Sequence, residues 1–332
     1  MIESPPGGKR LGVIMDAIDL IKPYKDTTFA LLLEAQRRGW SIHYMELADL
    51  TLDGGQVVAR MRSLEVFEPT PGGPATWYRA SEPSSHLLTD LDAVLMRKDP
   101  PVDMHYIYAT QLLELAEAHG VAVYNRPGAL RAVNEKLFIS HFADCIAPTQ
   151  VSADLVQLEA FVRREGIAVG KPLDAMGGSG VFRLAADDVN VKVILEMLTE
   201  MGTKPIMVQR FIPAIRDGDK RVLLIDGEPV EYALARVPPD GQIRANLAVG
   251  GRGEARPLST AEQRIARRVG PRLRELGLAF VGLDVIGDYL TEINVTSPTG
   301  IREIEAQCNI NVCARLFEYI EGRLSRPDEA TA

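Results

Sequence analysis

The chain has little that would staple it, anchor it or wrap it around a polyanion. Its three cysteines, Cys145, Cys308 and Cys313, are odd in number, widely spaced and never in a C-x-x-C arrangement. That usage fits a reducing cytosol without structural disulfides. The five histidines form neither H-x-x-x-H nor H-E-x-x-H, which argues against a zinc site. No apolar run approaches the length of a membrane span. The opening MIESPPGGKR lacks the apolar core of a signal peptide and reads as a loose leader. An excess of basic residues is missing too. The formal charge is −8, and nucleic-acid backbones are held by basic surfaces, so any phosphate must be met by a local basic cleft.

What is present is the composition of an ordinary globular protein, 46% hydrophobic and 25% charged over 332 residues, enough for two or three domains. Residues 11–18 (LGVIMDAI) read as an apolar strand. A helix capped by Asp26 or Thr27 and stopped at Gly39 follows, and residues 41–47 alternate as the next strand. This β-α-β start predicts a parallel sheet with helices on its faces. A β-rich excursion at 56–67 leads into a Pro/Gly/Ser loop at 68–85. Residues 91–97 are a second buried strand running into MRKDPP, a helix capped by Asp103 follows, and 121–125 is another strand. The Arg126-Pro127-Gly128 break marks a domain boundary.

From Ala129 a helix is expected to carry NEKLF with Lys136 on it. Residues 167–184 (IAVGKPLDAMGGSGVFRL) read strand, glycine loop, strand. The order is not that of a P-loop, and no helix follows the glycines as a dinucleotide fingerprint requires. Such a flap can fold backbone N–H groups over phosphates, with Lys171 aimed into the same space; a plain tight turn is the alternative. Residues 222–230 form a hairpin on Asp226-Gly227, and its return strand ends at Arg236. The glycine-rich, basic stretch 238–254, with Arg244 and Arg252, is long enough for an active-site lid rather than a connector. Thr260 is expected to cap a helix, and 301–324 to close the chain as one helix.

The chain is organised around residues 281–303, VGLDVIGDYLTEINVTSPTGIRE. Asp284 interrupts an apolar strand, and Glu292 and Asn294 lie two apart on one face of the next. Two carboxylates and an amide, all hard oxygen donors, suit Mg²⁺ alongside phosphate oxygens and water. A two-residue turn would put Asp284 on the opposite face, so the metal reading requires an odd loop or a bulge. Solvated acids on a wet hairpin face are the alternative.

The order Lys136, 171–180, 209–213, Arg221, Arg236, then Asp284…Glu292-x-Asn294 resembles the ATP-grasp superfamily. Within it, MRKDPP (96–101), NEKLF (134–138), KPLDAMGG (171–178), DGDKRVL (217–223), DGEPV (226–230), NLAVGGRGE (246–254) and FVGLDVIGDYLTEINVTSPTGIREIE (280–305) are similar to the bacterial-type glutathione synthetases, from about Leu11 to Arg323. The resemblance implies an α/β and α+β architecture: an N-terminal parallel α/β domain (1–125), then a central ATP-grasp subdomain (126–204) and a C-terminal one carrying the metal site (205–332). It implies a ligase in which ATP phosphorylates the cysteinyl carboxylate of γ-glutamylcysteine and glycine attacks the acyl phosphate. By resemblance, Lys136, Lys171 and the loop Gly177, Gly178, Ser179 and Gly180 hold ATP phosphates. Gln209, Arg210 and Phe211 line the adenine pocket, and Asp219 takes the ribose. Arg221, Arg236 and Arg244 act on the transferring phosphoryl group, and Asp284, Glu292 and Asn294 hold Mg²⁺ (or Mn²⁺). Arg97, Asn246, Arg252, Ser297, Thr299 and Arg302 are candidates for substrate binding. A cytoplasmic homotetramer working on small molecules, with no nucleic acid or membrane partner, is also implied. The rivals are a sister ATP-grasp ligase with another acid–amine pair and a non-catalytic ATP-binding module.

Overall fold

A computed structural model describes residues 8–69, 76–237 and 252–325. Three sheets carry the chain. The first contains β1 (Arg10–Ile14), β2 (Ser41–Met45), β3 (Leu50–Asp53), β4 (Gln56–Val66), β5 (Tyr78–Ala80), β6 (Ser84–Leu87), β7 (Ala93–Met96) and β8 (Ala122–Tyr124). Its path runs β3-β4-β2-β1-β7-β8, with β5 and β6 beside β4. β1 is parallel to β2 and β7, and β7 to β8. Leu11, Val13 and Ile14 are fully buried, as expected of a strand covered on both faces. The covering helices are α1 (Thr27–Arg37) and α2 (Met104–Ala118). Asp26 accepts from Phe29 N at 2.7 Å and Asp103 from Tyr106 N at 2.9 Å, so each carboxylate satisfies an orphan first-turn donor. The stretch 68–85, expected as a loop, holds β5 and β6; residues 70–75 lie outside the described residues.

The short helix α3 (Pro127–Ala132) then leads to the second sheet: β9 (Thr149–Ser152), β10 (Ile167–Pro172), β11 (Phe182–Ala185) and β12 (Ile206–Arg210), in the order β11-β10-β12-β9. It packs on α4 (Leu155–Glu165) and α5 (Val191–Leu198). β12 belongs here, so the sheet changes after Arg210, one strand later than the break expected at 204/205. The third sheet holds β13 (Asp219–Ile225), β14 (Glu228–Val237), β15 (Arg252–Pro257), β16 (Phe280–Ile286) and β17 (Tyr289–Asn294), ordered β15-β14-β13-β16-β17. It is covered by α6 (Thr260–Glu275), α7 (Ile301–Cys308) and α8 (Val312–Leu324).

Three local expectations need correction. NEKLF does not continue α3: that helix ends at Ala132, Asn134 Oδ1 accepts from Lys136 N and Leu137 N and turns the chain, and only Leu137 and Phe138 enter the 3₁₀ stretch that follows. Ser259, not Thr260, caps α6 in a reciprocal capping box with Glu262. The C-terminal helix is two, broken at Asn309 with φ +51°. Asparagine tolerates that left-handed conformation.

The first and third sheets share their cores. Leu11, Val13 and Leu95 pack with Phe29, Leu316, Phe317 and Phe280, while Val94, Met96 and Tyr106 join Leu283, Leu290 and Val295. Asn125, just beyond β8, locks the two together. Its Nδ2 donates to Phe280 O (2.8 Å) and Val295 O (2.7 Å), and its Oδ1 accepts from Phe280 N (2.8 Å). Among the described residues no helix is long and apolar enough to cross a membrane.

Candidate active site

The cleft where the sheets meet has a volume of about 610 Å³, within the range that holds drug-sized ligands and cofactors. The β16–β17 hairpin forms one wall. Its turn is the two-residue Gly287-Asp288, with Ile286 paired to Tyr289 and Gly287 at φ +57°. Such a turn alone would send Asp284 and Glu292 to opposite faces. The register shifts between Asp284 and Val285, so Asp284 pairs with Glu292 while Val285 pairs with Leu290, leaving Thr291 as the bulged residue. The bulge brings both acids to one face. It also frees the Thr291 carbonyl, which accepts from Lys171 Nζ at 3.1 Å.

Cross-strand register builds the charge network. Arg221 stands opposite Asp284, and Asp219 opposite Arg236. Arg221 grips Asp284 with two bonds, Nε to Oδ1 at 2.5 Å and Nη2 to Oδ2 at 3.1 Å. Arg236 Nη2 lies 2.9 Å from Asp284 Oδ2 and 2.6 Å from Asp219 Oδ2. Burial works to raise the Asp284 pKa, but the two guanidiniums overcome it and hold the carboxyl well below its usual range. Asp219 is pushed up to about 6, chiefly by burial against the attraction of Arg236, and its Oδ1 is buried without a partner. Arg236 is held above its ordinary value: burial opposes the charge, and the attraction of Asp219 and Asp284 wins.

Both predicted lysines reach this wall. Lys136 and Lys171 are buried, with their ammonium groups 3.8 and 4.0 Å from Glu292 Oε1. Burial lowers Lys171 and Glu292 opposes it. Lys136 also donates to Ala175 O, at the start of the glycine loop. In that loop Gly177, Gly178 and Gly180 have φ of +65°, +77° and +68°, a backbone that side chains resist. Gly177, Gly178 and Ser179 line the cleft, while Gly180 tucks against Pro172. Opposite, Gln209, Arg210 and Phe211 also line it, with Gln209 Nε2 fixed to Thr149 Oγ1 at 2.8 Å.

At the far end Arg97 is buried, donating from Nε to Thr28 Oγ1 (3.1 Å) and from Nη2 to Pro298 O (2.9 Å). Arg221 Nη1 donates to the next carbonyl, Thr299 O, at 3.3 Å. The Ser297-Pro298-Thr299 turn thus sits between two guanidiniums. Asn294 donates its Nδ2 to Gly282 O at 3.1 Å, which leaves its Oδ1 for the cleft.

Not every expected residue gathers here. Arg252 pairs with Glu254 in β15, and Arg302 pairs with Glu68 at 2.5 Å; neither lines the described cleft. Arg244 and Asn246 lie outside the described residues, as does the expected lid apart from 252–254, where β15 begins. Several residues of the wall were not foreseen. Glu135 Oε1 accepts from Val295 N (2.8 Å), Thr296 N (3.0 Å) and Thr296 Oγ1 (2.9 Å), pinning the end of β17 beside Lys136. The NEKLF motif contained it, but a charged residue in a presumed helix gave no sign of burial. Asp16, Lys22, Lys25, Asp26 and Asp99, from the segments after β1 and β7, and Glu303, from the first turn of α7, also line the cleft. Among the described residues no group of three or more His, Cys, Asp or Glu gathers as a metal cluster. The donor set is two carboxylates and an amide.

The family model described as prokaryotic glutathione synthetase, N-terminal domain, matches residues 10–131, and that of the ATP-grasp domain matches 135–309. The chain is 54% identical over 315 residues to a glutathione synthetase of Pseudomonas putida, spanning 95% of this chain and 98% of that one. It is 53% identical to one of Salmonella typhimurium and 52% to one of Escherichia coli, each over 96% of this chain and 99% of the other. Among solved structures, D-cycloserine synthetase superposes with a TM-score of 0.67 at 16% identity, covering 95% of this chain and 99% of that one. The ATP-grasp ligase PsnB, complexed with minimal precursor, Mg and ADP, superposes at 0.60 and 15% identity over 95% and 98%. These two likenesses establish a shared fold.

Proposed function

The chain belongs to the prokaryotic glutathione synthetase family and has the ATP-grasp fold, and from that premise we propose how its cleft carries out ATP-dependent synthesis of glutathione. ATP phosphorylates the cysteinyl carboxylate of γ-glutamylcysteine; the amine of glycine attacks the resulting acyl phosphate, and phosphate leaves. Phosphoryl transfer needs positioning and charge neutralisation more than covalent help from the protein. The observation that carries the assignment is the convergence of two buried lysines and two buried arginines on the Asp284–Glu292 wall.

In this reading Lys136, Lys171 and the backbone of 177–180 take the α/β-phosphates, with Gln209, Arg210 and Phe211 around the base. Asp219, placed beside Arg236, takes the ribose hydroxyls. Arg221 and Arg236 neutralise the transferring phosphoryl group. Both are already oriented by Asp284, so little reorganisation accompanies charge development. Arg244 is proposed to act on the same group from the lid. Arg97, Ser297 and Thr299 receive the peptide carboxylates, with Asn246, Arg252 and Arg302 as outer candidates. The oxygens of Asp284, Glu292 and Asn294 fit Mg²⁺ or Mn²⁺: they share one face and leave positions for phosphate oxygens and water. When bound there, the ion neutralises phosphate charge. The domains are proposed at 1–125, 126–210 and 211–332, the second boundary moved from 204 because β12 pairs within the second sheet. A cytoplasmic homotetramer is proposed, to be checked by sedimentation.

The experiment is ADP release with γ-glutamylcysteine and glycine supplied together and each omitted. Release that requires both, with glutathione appearing in step, supports the reading. Release with a different acid–amine pair keeps the ATP site and overturns the substrate. ATP binding without turnover on any pair favours a binding module.

A further inference from the structure

We propose that Glu303 and Lys25 form the seat of the amine substrate, held as a zwitterion, and that the Glu303 carboxylate takes the proton the ammonium must lose before it attacks. The assignment rests on the ligase reading above. Glu303 lies in the first turn of α7 and lines the cleft. Its Oε2 is buried with no hydrogen-bond partner, a costly state for a carboxylate unless something fills it. The neighbouring acids are engaged. Asp284 is gripped by Arg221 and Arg236, Asp16 by Lys98 at 2.8 Å, Glu135 by Val295 and Thr296, and Asp26 caps α1.

The cations facing Glu303 are Lys25, Arg302 and Arg221. Two of them are committed, Arg302 to Glu68 and Arg221 to Asp284 and Thr299 O. Among the described residues the Lys25 ammonium makes no ion pair; it lies 5.9 Å from the centre of the Tyr24 ring. Lys25 and Glu303 thus line the same cleft with opposite charge and without pairing, an arrangement suited to a small molecule that carries an ammonium and a carboxylate. Burial raises the Glu303 pKa, and the three cations do not fully offset it, a shift toward proton acceptance. Glu303 shares the cleft with Arg221, which acts on its charge and, in the reading above, on the transferring phosphoryl group.

The step balances. One proton passes from the ammonium nitrogen to Glu303. The freed lone pair forms the C–N bond, the carbonyl carbon–phosphate oxygen bond breaks, and the second proton leaves with the departing phosphate. Glu303 returns its proton to water on product release.

The test compares two acceptors. Glycine requires deprotonation; hydroxylamine is already neutral at neutral pH and gives a hydroxamate. Glu303→Gln is expected to lose about 10²–10⁴-fold in kcat/KM with glycine, while hydroxamate formation stays within a few-fold of wild type. Its residual glycine rate should climb with pH. Lys25→Met should raise KM for glycine and leave the hydroxylamine rate unchanged. Equal losses on both acceptors, or no loss with glycine, overturn the assignment; retained hydroxamate formation also shows that the variant is folded. A wild-type protein that turns over neither acceptor overturns the ligase reading itself.

Discussion

Replacing Arg236 by methionine separates the structural demand of the charge network from its chemistry. Arg236 bridges Asp219 at 2.6 Å and Asp284 at 2.9 Å, and all three side chains are largely buried. Without the guanidinium, two buried carboxylates share Arg221 alone. Breaking a buried pair on one side costs about 3–5 kcal/mol, so urea unfolding at pH 7.5 should show a loss of that size. The sign of its pH dependence follows from Asp219, already raised to about 6 in the intact protein. Without Arg236 it rises further, and the folded state then binds more protons than the unfolded one. The folded variant therefore regains stability as pH falls through that raised value. Asp284 does not change the comparison in this range, because the stability it gives the intact protein is lost only as pH falls below its unfolded pKa of 3.8. The deficit should shrink between pH 7.5 and 5, and Asp219→Asn added to the variant should restore part of it at pH 7.5. In the same variant kcat should drop by about 10²–10³, the typical effect of removing one preorganised donor. A deficit under about 1 kcal/mol, or one that stays flat with pH, refutes the network as described.

Gly282→Ala places a Cβ 2.6 Å from Arg221 Cδ and 3.1 Å from its Nε; displacing that guanidinium should lower kcat by up to about 10²-fold in steady-state assays, with a smaller change in KM for ATP. Asn125→Ala leaves Phe280 N, Phe280 O and Val295 O without their partner, and should cost about 2–4 kcal/mol in urea unfolding while the ATP site is untouched. His43, fully buried with neither ring nitrogen bonded, is held at about 4 by burial, with His86 and Arg10 adding to the shift. The unfolded chain binds its proton more readily, so the contribution of His43 to stability is lost as pH falls from about 6.5 toward 4, to a limit of about 3 kcal/mol. His43→Leu should flatten that part of the stability–pH curve.

How much of this could be read from the residues depended on how local the cause was. Caps at Asp26 and Asp103, the Asp226-Gly227 hairpin and the strand–glycine–strand at 167–184 are set within a few residues, and each formed as expected. The bulge at Thr291 was visible only as a requirement: the acids could share a face if the register slipped, and nothing in the sequence said that it would. NEKLF has helical composition, but Asn134 turns its own backbone and Glu135 answers to Val295 and Thr296, 160 residues away. A burial so distant leaves no local trace. The same holds for β12, whose place in the second sheet rests on pairing with β9 and β10. Lys25 carries no motif and Glu303 sits at the end of one without a sign of its role; only folding puts them on one cleft.

The central claim is that the cysteinyl carboxylate is activated by phosphoryl transfer from ATP. It is tested most directly with γ-glutamylcysteine labelled with ¹⁸O in that carboxylate, followed by mass analysis of the inorganic phosphate released with glutathione. The account predicts one labelled oxygen in phosphate for each glutathione formed. Label that never reaches phosphate while glutathione accumulates would contradict it.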